Sequence, residues 1–210
     1  MGGGSMGGEQ PGAGAGPTGV GSLGIRGVNH LALVCADMAR TVAFYQGVLG
    51  LPLVKTIELP GGMGQHFFFD LGNGDSLAFF WFPDGPPAAP GVAAPAALPG
   101  LGDLRSAVAS MNHLAFDVPP EHLEEACQRL QAAGVAVVGP VNHDDSEAGW
   151  SPEPHPGVFM RSVYFADPDG ICLELAAWLR RPGPGDVRHE PRGRPVSAGP
   201  ARPEGFPTGR

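Results

Sequence analysis

The chain has 210 residues, of which 34 are Gly and 24 Pro; 42% are hydrophobic, 16% charged, and the net charge is −8. An acidic body repels phosphate backbones, so nucleic acid is not expected as the main ligand, and no run of about 18 apolar residues is present to cross a membrane. The three cysteines are an odd set without CxxC spacing, which suits buried thiols in a reducing, cytoplasmic setting better than a disulfide scaffold. Residues 1–24 hold 11 glycines, and residues 180–210 hold 7 prolines and 6 glycines. Neither end has an apolar period, so both are expected to be disordered, leaving roughly 25–179 for the fold.

In chain order, Asn29-His30-Leu31-Ala32-Leu33 opens a strand with apolar alternation. Asp37 is a suitable N-cap for a helix that stops at Gly50, and a short strand follows over 51–57. Two more strands, 65–71 and 76–82, flank a turn at Gly72-Asn73-Gly74-Asp75. An Ala/Pro/Gly-rich connector then occupies 84–110. After it the pattern repeats: Asn112-His113-Leu114-Ala115-Phe116 lies 83 residues beyond its first copy, followed by a helix opened by Pro119-Pro120-Glu121 and ended at Gly134. A strand over 135–138 and a hairpin (159–166 and 171–177) around Asp167-Pro168-Asp169-Gly170 complete it. The expectation is an α+β fold of two βαβββ modules, 25–83 and 111–179, joined by the linker at 84–110.

Two such copies, each with a histidine opening its first strand, resemble the vicinal oxygen chelate superfamily of glyoxalases, bleomycin-resistance proteins and extradiol dioxygenases. The resemblance covers about residues 27–178 and implies a cupped, barrel-like mixed sheet around a divalent metal. Packing alone gives no reason to repeat an imidazole at the same step of both modules, and the resemblance makes His30 and His113 metal ligands. Glu174 is the third: a carboxylate in mid-strand among Cys172 and Ala176 faces steep desolvation unless a cation or partner meets it, and in the family this glutamate follows the Asp-Pro-x-Gly turn. Glyoxalases and epimerases add a fourth ligand on the last strand of the first module, where this chain has Ala78 or Phe79, depending on a one-residue register. Two histidines and one carboxylate can form a facial triad, which suits Fe(II) holding a bidentate substrate and O₂; Mn(II), Zn(II) or Ni(II) would suit a non-redox reaction.

One window sharpens the resemblance to extradiol ring-cleaving dioxygenases. His155 is followed by seven residues, Val163-Tyr164, two residues, the Asp167–Gly170 turn, three residues and Glu174. By that resemblance His155 and Tyr164 line the pocket, orient the substrate and move protons. The chain departs from the pattern at Glu153 and in having no histidine within 84–112, where those enzymes keep another pocket imidazole; His143 and His66 are the alternatives. The expected reaction is dioxygenation of a catechol-like or other vicinal-oxygen molecule. The rivals are a thiol transferase or lyase on the same metal, and a drug-binding resistance protein. The aromatic runs Phe67–Phe69 and Phe79–Phe82 cover both faces of their strands, so one set meets something besides the core, a dimer partner or an apolar substrate cavity; the resemblance implies a homodimer.

Overall fold

The computed structural model describes residues 27–192; the expectations for 1–24, and for the part of the tail beyond 192, lie outside them. The first module comprises β1 (His30–Val34), α1 (Met38–Val42), β2 (Leu53–Glu58), β3 (Gln65–Gly72) and β4 (Asp75–Trp81). The second comprises β5 (Leu114–Asp117), α2 (Leu123–Ala132), β6 (Val137–His143), a two-residue β7 (Trp150–Ser151), β8 (Met160–Ala166) and β9 (Cys172–Trp178). The first is an α+β unit of βαβββ order and the second keeps that order with the short β7 added; each has one mixed sheet, β1-β4-β3-β2 and β5-β9-β8-β6-β7, whose first strand runs parallel to its last.

Local chemistry sets the elements. Asp37 caps α1 by accepting the Arg40 N–H at 3.0 Å. Beyond Val42 the helix widens into a π-helical stretch, Ala43–Val48, in which Leu49 N–H reaches back to Phe44 O. This stretch buries both Phe44 and the fully enclosed Tyr45. The β3–β4 turn places Asn73 at φ 54° and Gly74 at 85° between paired Gly72 and Asp75, the two left-handed steps a tight hairpin requires. β6 runs five residues past its expected end, and β7 was not foreseen in the sequence: the strand crosses Gly139-Pro140, where the register against β8 shifts between Val138 and Val141. Proline, which breaks the regular ladder, sits at this shift.

One apolar core joins the modules. Phe69, Leu77, Phe79 and Tyr45 from the first meet Phe165, Leu173, Leu123 and Leu130 from the second, with Cys35 and Cys127 among them; Cys172 is buried on the Glu174 side of β9, and all three thiols are unpaired. The contact runs through α1, which packs toward the β8–β9 turn: Ala36 N–H donates to Asp169 Oδ2 at 3.0 Å, Arg40 donates to Pro168 O, and the Tyr45 hydroxyl donates to Asp167 Oδ2 at 3.1 Å. No helix of the described residues is long and apolar enough to cross a membrane.

Candidate metal centre

The register resolves the equivalence of the two copies. Ala32 pairs with Ala78, and Ala115 pairs with Glu174. His30 and His113 stand two residues before those alanines, so Ala78 occupies in the first module the place of Glu174 in the second. No fourth oxygen ligand comes from that position.

In the second module His113 and Glu174 meet directly, with Nε2 to Oε2 at 2.9 Å. The imidazole is half-buried and the carboxylate is only 2% exposed. Asn112 Oδ1 lies 2.7 Å from the other ring nitrogen, His113 Nδ1. With Nδ1–H donated there, Nε2–H donates to Glu174, and loss of that proton leaves Nε2 free to bind a metal, the orientation in which an outer residue presents a histidine to a metal. The same device recurs at His30, whose Nδ1 lies 2.8 Å from Asn29 Oδ1. Glu174 Oε1 is buried with no hydrogen-bond partner, an unusual state for a carboxylate oxygen. A nitrogen and a carboxylate side by side, with one oxygen unsatisfied, fit a divalent ion.

Electrostatics bind the pair. The hydrogen bond to Glu174 holds the His113 pKa above its ordinary 6.5, against burial, which lowers it. Burial pushes Glu174 up, but His113 and the nearby Ser162 and Tyr164 hydroxyls outweigh it and leave the carboxyl below 4.5. The Ser162 hydroxyl acts through proximity, since its Oγ makes no hydrogen bond. The raised imidazole contributes stability below 6.5 that is lost as pH rises through its folded value. The depressed carboxyl contributes stability above 4.5 that is lost as pH falls through its folded value. The ion-paired metal-free form is therefore best held between those limits. A metal at Nε2 would displace the His113 proton, so affinity is expected to level off above the raised His113 value and to fall about tenfold per unit below it. Equal affinities at about pH 8 and 5.5 in a calorimetric titration would exclude His113 Nε2 as a ligand.

His30 is not brought to this pair within one chain: among the described residues no three His, Cys, Asp or Glu side chains converge. The sequence leaves open whether the three residues meet within one chain or across two, and within one chain they do not meet. The modules dock through α1 and the β8–β9 turn, which leaves His30 on its own sheet. There it lies on an open face with Ala32 and Val34, all exposed. Phe68 sits edge-on to His30 at 5.7 Å, and His66 stacks on Phe80 at 3.6 Å. Phe67, Phe69 and Phe79 turn the other way into the core, so the aromatic runs do serve both faces. His66 Nε2 is buried without a partner, and burial followed by the His30 charge lowers its pKa.

Tyr164 pairs with Glu174 across β8 and β9 and shares its face. Its pKa is pushed up, first by burial and then by the Glu174 charge, so the phenol stays protonated. Its hydroxyl lies 3.2 Å from His143 Nε2. His155 is not hydrogen-bonded to Tyr164; its Nε2 meets Asp144 Oδ2 at 2.9 Å, and its Nδ1 accepts the Gly157 N–H at 3.1 Å. Both ring nitrogens are thus engaged in holding the Pro-rich loop. The Ser146 and His155 hydrogen bonds in turn hold Asp144 below the ordinary carboxylate range. The residue that spacing did not reveal is Asp144, whose only sequence signal was its place in the polar run Asn142–Asp145 beside a histidine.

Residues 27–175 match the family described as the Glyoxalase/Bleomycin resistance protein/Dioxygenase superfamily. The chain is similar to the uncharacterized protein YwkD of Bacillus subtilis (strain 168), 25% identical over 151 residues that make up 72% of this chain and 96% of the relative. It is also similar to the glutathione transferase FosA of Serratia marcescens, 28% identical over 151 residues, 72% of this chain and 80% of the relative. Among solved structures, that of a glyoxalase/dioxygenase from Nostoc punctiforme has a TM-score of 0.53 at 24% identity, covering 78% of this chain and 99% of that one, a likeness of fold.

Proposed function

Since the chain belongs to the Glyoxalase/Bleomycin resistance protein/Dioxygenase superfamily, we propose that it is a metal-dependent enzyme acting on a small molecule that chelates through two neighbouring oxygens. His113 and Glu174 of one chain and His30 of a second copy are the ligands. The observation that carries this reading is the buried Glu174, with one oxygen on His113 and the other unsatisfied. Three features support the second copy: the repeated Asn–His device, the exposure of the His30 face, and the aromatic rings of Phe68 and Phe80 on that face.

A divalent ion there supplies Lewis acidity toward the chelated oxygens, and Fe(II) adds chemistry with O₂. Tyr164, a neutral phenol on the Glu174 face, orients the substrate by hydrogen bonding. His155 fixes the loop over residues 151–158 through Asp144 and so shapes the approach to Tyr164. His155→Ala is expected to leave metal content unchanged and to lower turnover about 10–100-fold; loss of metal instead would mean that His155 is itself a ligand.

The reaction best supported is ring cleavage of a catechol-like diol, on the strength of the His155–Tyr164–Glu174 spacing and three protein ligands without a fourth. Protein loaded anaerobically with Fe(II) should then consume O₂ with some member of a diol panel, and full iron occupancy without O₂ uptake would overturn it. The similarity to a glutathione transferase favours a second reading, addition of a thiol to an electrophile that chelates through an oxyanion. Turnover of glutathione without O₂, on Mn(II)-loaded protein, would select it.

A further inference from the structure

The duplication gives the two modules two equivalent junctions, and the two are built differently. At one, α1 meets the β8–β9 turn through the hydrogen bonds of Ala36, Arg40 and Tyr45. At the other, α2 and the β3–β4 turn stand in those places. The offset of 83 residues that carries His30 onto His113 carries Tyr45 onto Gln128. The offset of 96 that carries Ala78 onto Glu174 carries Leu71 onto Asp167. A leucine side chain accepts nothing, and the Gln128 amide donates to Glu124 of its own helix at 3.2 Å. Among the described residues no hydrogen bond or ion pair joins α2 to the β3–β4 turn. The second junction holds a cavity of about 470 Å³ instead, within the ~300–1,000 Å³ of small-ligand sites.

Its walls are apolar: Leu49, Leu51 and Leu71 come from the first module, Phe116, Leu130 and Leu175 from the second. Leu175 points away from Glu174 on β9, so the cavity lies on the core side of that sheet. Three charged side chains border it, Asp75, Asp117 and Arg129. Asp117 already has Arg181 at 3.7 Å. Half-buried Asp75 and exposed Arg129 make no ion pair or side-chain hydrogen bond among the described residues, with each other or with any third group. Near the end of α2, Arg129 suits the helix dipole, but its guanidinium also reaches toward the first module. Its Nη2 stands 4.0 Å from where a Cβ on Gly50 would be.

We propose that this cavity binds an apolar α-amino acid. The carboxylate pairs with Arg129, the ammonium with Asp75, and the side chain enters the leucine-lined interior. A fixed acid and a fixed base on one apolar cavity, too far apart to neutralise each other, complement a molecule that carries both charges beside an apolar chain. An anionic amphiphile would set its head against Asp75, and a cationic one would set its head against Arg129. The bound amino acid bridges the second junction as Asp167 bridges the first, and it stabilises the folded chain in proportion to its occupancy.

The test is calorimetric titration of the full-length protein, metal-free and metal-loaded, with three probes. They are L-leucine, 4-methylpentanoate, which lacks the ammonium, and 3-methylbutylamine, which lacks the carboxylate. Leucine is expected to bind both forms equally with a Kd below about 1 mM, and each analogue about ten- to a hundredfold more weakly. Arg129→Gln should weaken leucine by a similar factor and erase its advantage over 3-methylbutylamine. Asp75→Asn should erase its advantage over 4-methylpentanoate. No binding of leucine up to about 10 mM overturns the proposal, and so does binding that neither substitution changes. A 4-methylpentanoate affinity equal to that of leucine overturns it as well, since the site would then take an anion alone. Binding confined to the metal-loaded form would place the amino acid on the metal and overturns it too.

Discussion

Protein carrying His30→Ala and protein carrying His113→Ala are each expected to lose the metal, and an equimolar mixture refolded together to recover about a quarter of the wild-type metal content. The figure follows from symmetry. Random pairing makes half of the dimers mixed. Each mixed dimer has one site lacking both histidines and one intact site, with His30 from the His113→Ala chain and His113 from the His30→Ala chain. The expectation comes from the docking of the modules: α1 lies against the β8–β9 turn, so the His30 face looks outward and His113 waits on the other sheet beside a carboxylate that is half satisfied. A single chain that held all three ligands would give no recovery in the mixture, whatever its oligomeric state. Light scattering showing a monomer at working concentration would end the shared-site proposal by itself. His66 and Phe80 stack on the same face as His30, so His66→Ala should weaken the dimer while leaving the isolated chain folded.

What the sequence made legible follows the range of the forces involved. The duplication, the Asp37 cap, the Asn73-Gly74 hairpin and the alternation of β3, β4, β8 and β9 depend on neighbours a few residues apart, and all of them are visible in the residues. His113 and Glu174 were legible as a pair because the repeat marks one and desolvation marks the other. The choice between Ala78 and Phe79 was not, since a one-residue register rests on pairing across strands. Nor was the place of His143, because the bulge at Gly139-Pro140 reverses the parity that alternation assumes. His30 illustrates a longer-range limit: two modules can dock by their helices or by their sheet faces, and local patterning reads alike in both. The Pro-rich loop hid a different detail. Spacing ties His155 to Tyr164, but in the fold an acid eleven residues earlier, Asp144, takes the imidazole.

Asp167 shows that part of the motif pointing to chemistry serves architecture, and its replacement should have the largest effect on stability. Its Oδ1 accepts the backbone N–H groups of Asp169 at 2.9 Å and Ile171 at 2.8 Å, while Oδ2 accepts the Tyr45 hydroxyl at 3.1 Å. The residue is 6% exposed. One carboxylate therefore shapes the β8–β9 turn and fastens it to the first module. Asp167→Ala leaves three donors without an acceptor, two of them in or beside the core, and should cost about 3–5 kcal/mol in urea unfolding. Tyr45→Phe removes one of those bonds and should cost about 1 kcal/mol. With Asp167 already gone, adding Tyr45→Phe should cost less than it does alone, since the bond is no longer there to lose. Burial holds the Asp167 carboxyl above its ordinary 3.8. Keeping it ionised in the folded protein thus lowers stability progressively as pH rises through the raised value. Asparagine carries no charge to bury, so the deficit of Asp167→Asn should be smaller at neutral pH than in acid. A deficit that widens toward neutrality would mean the carboxylate is stabilised in place, and a change below about 0.5 kcal/mol for Asp167→Ala would mean the turn does not clamp the modules.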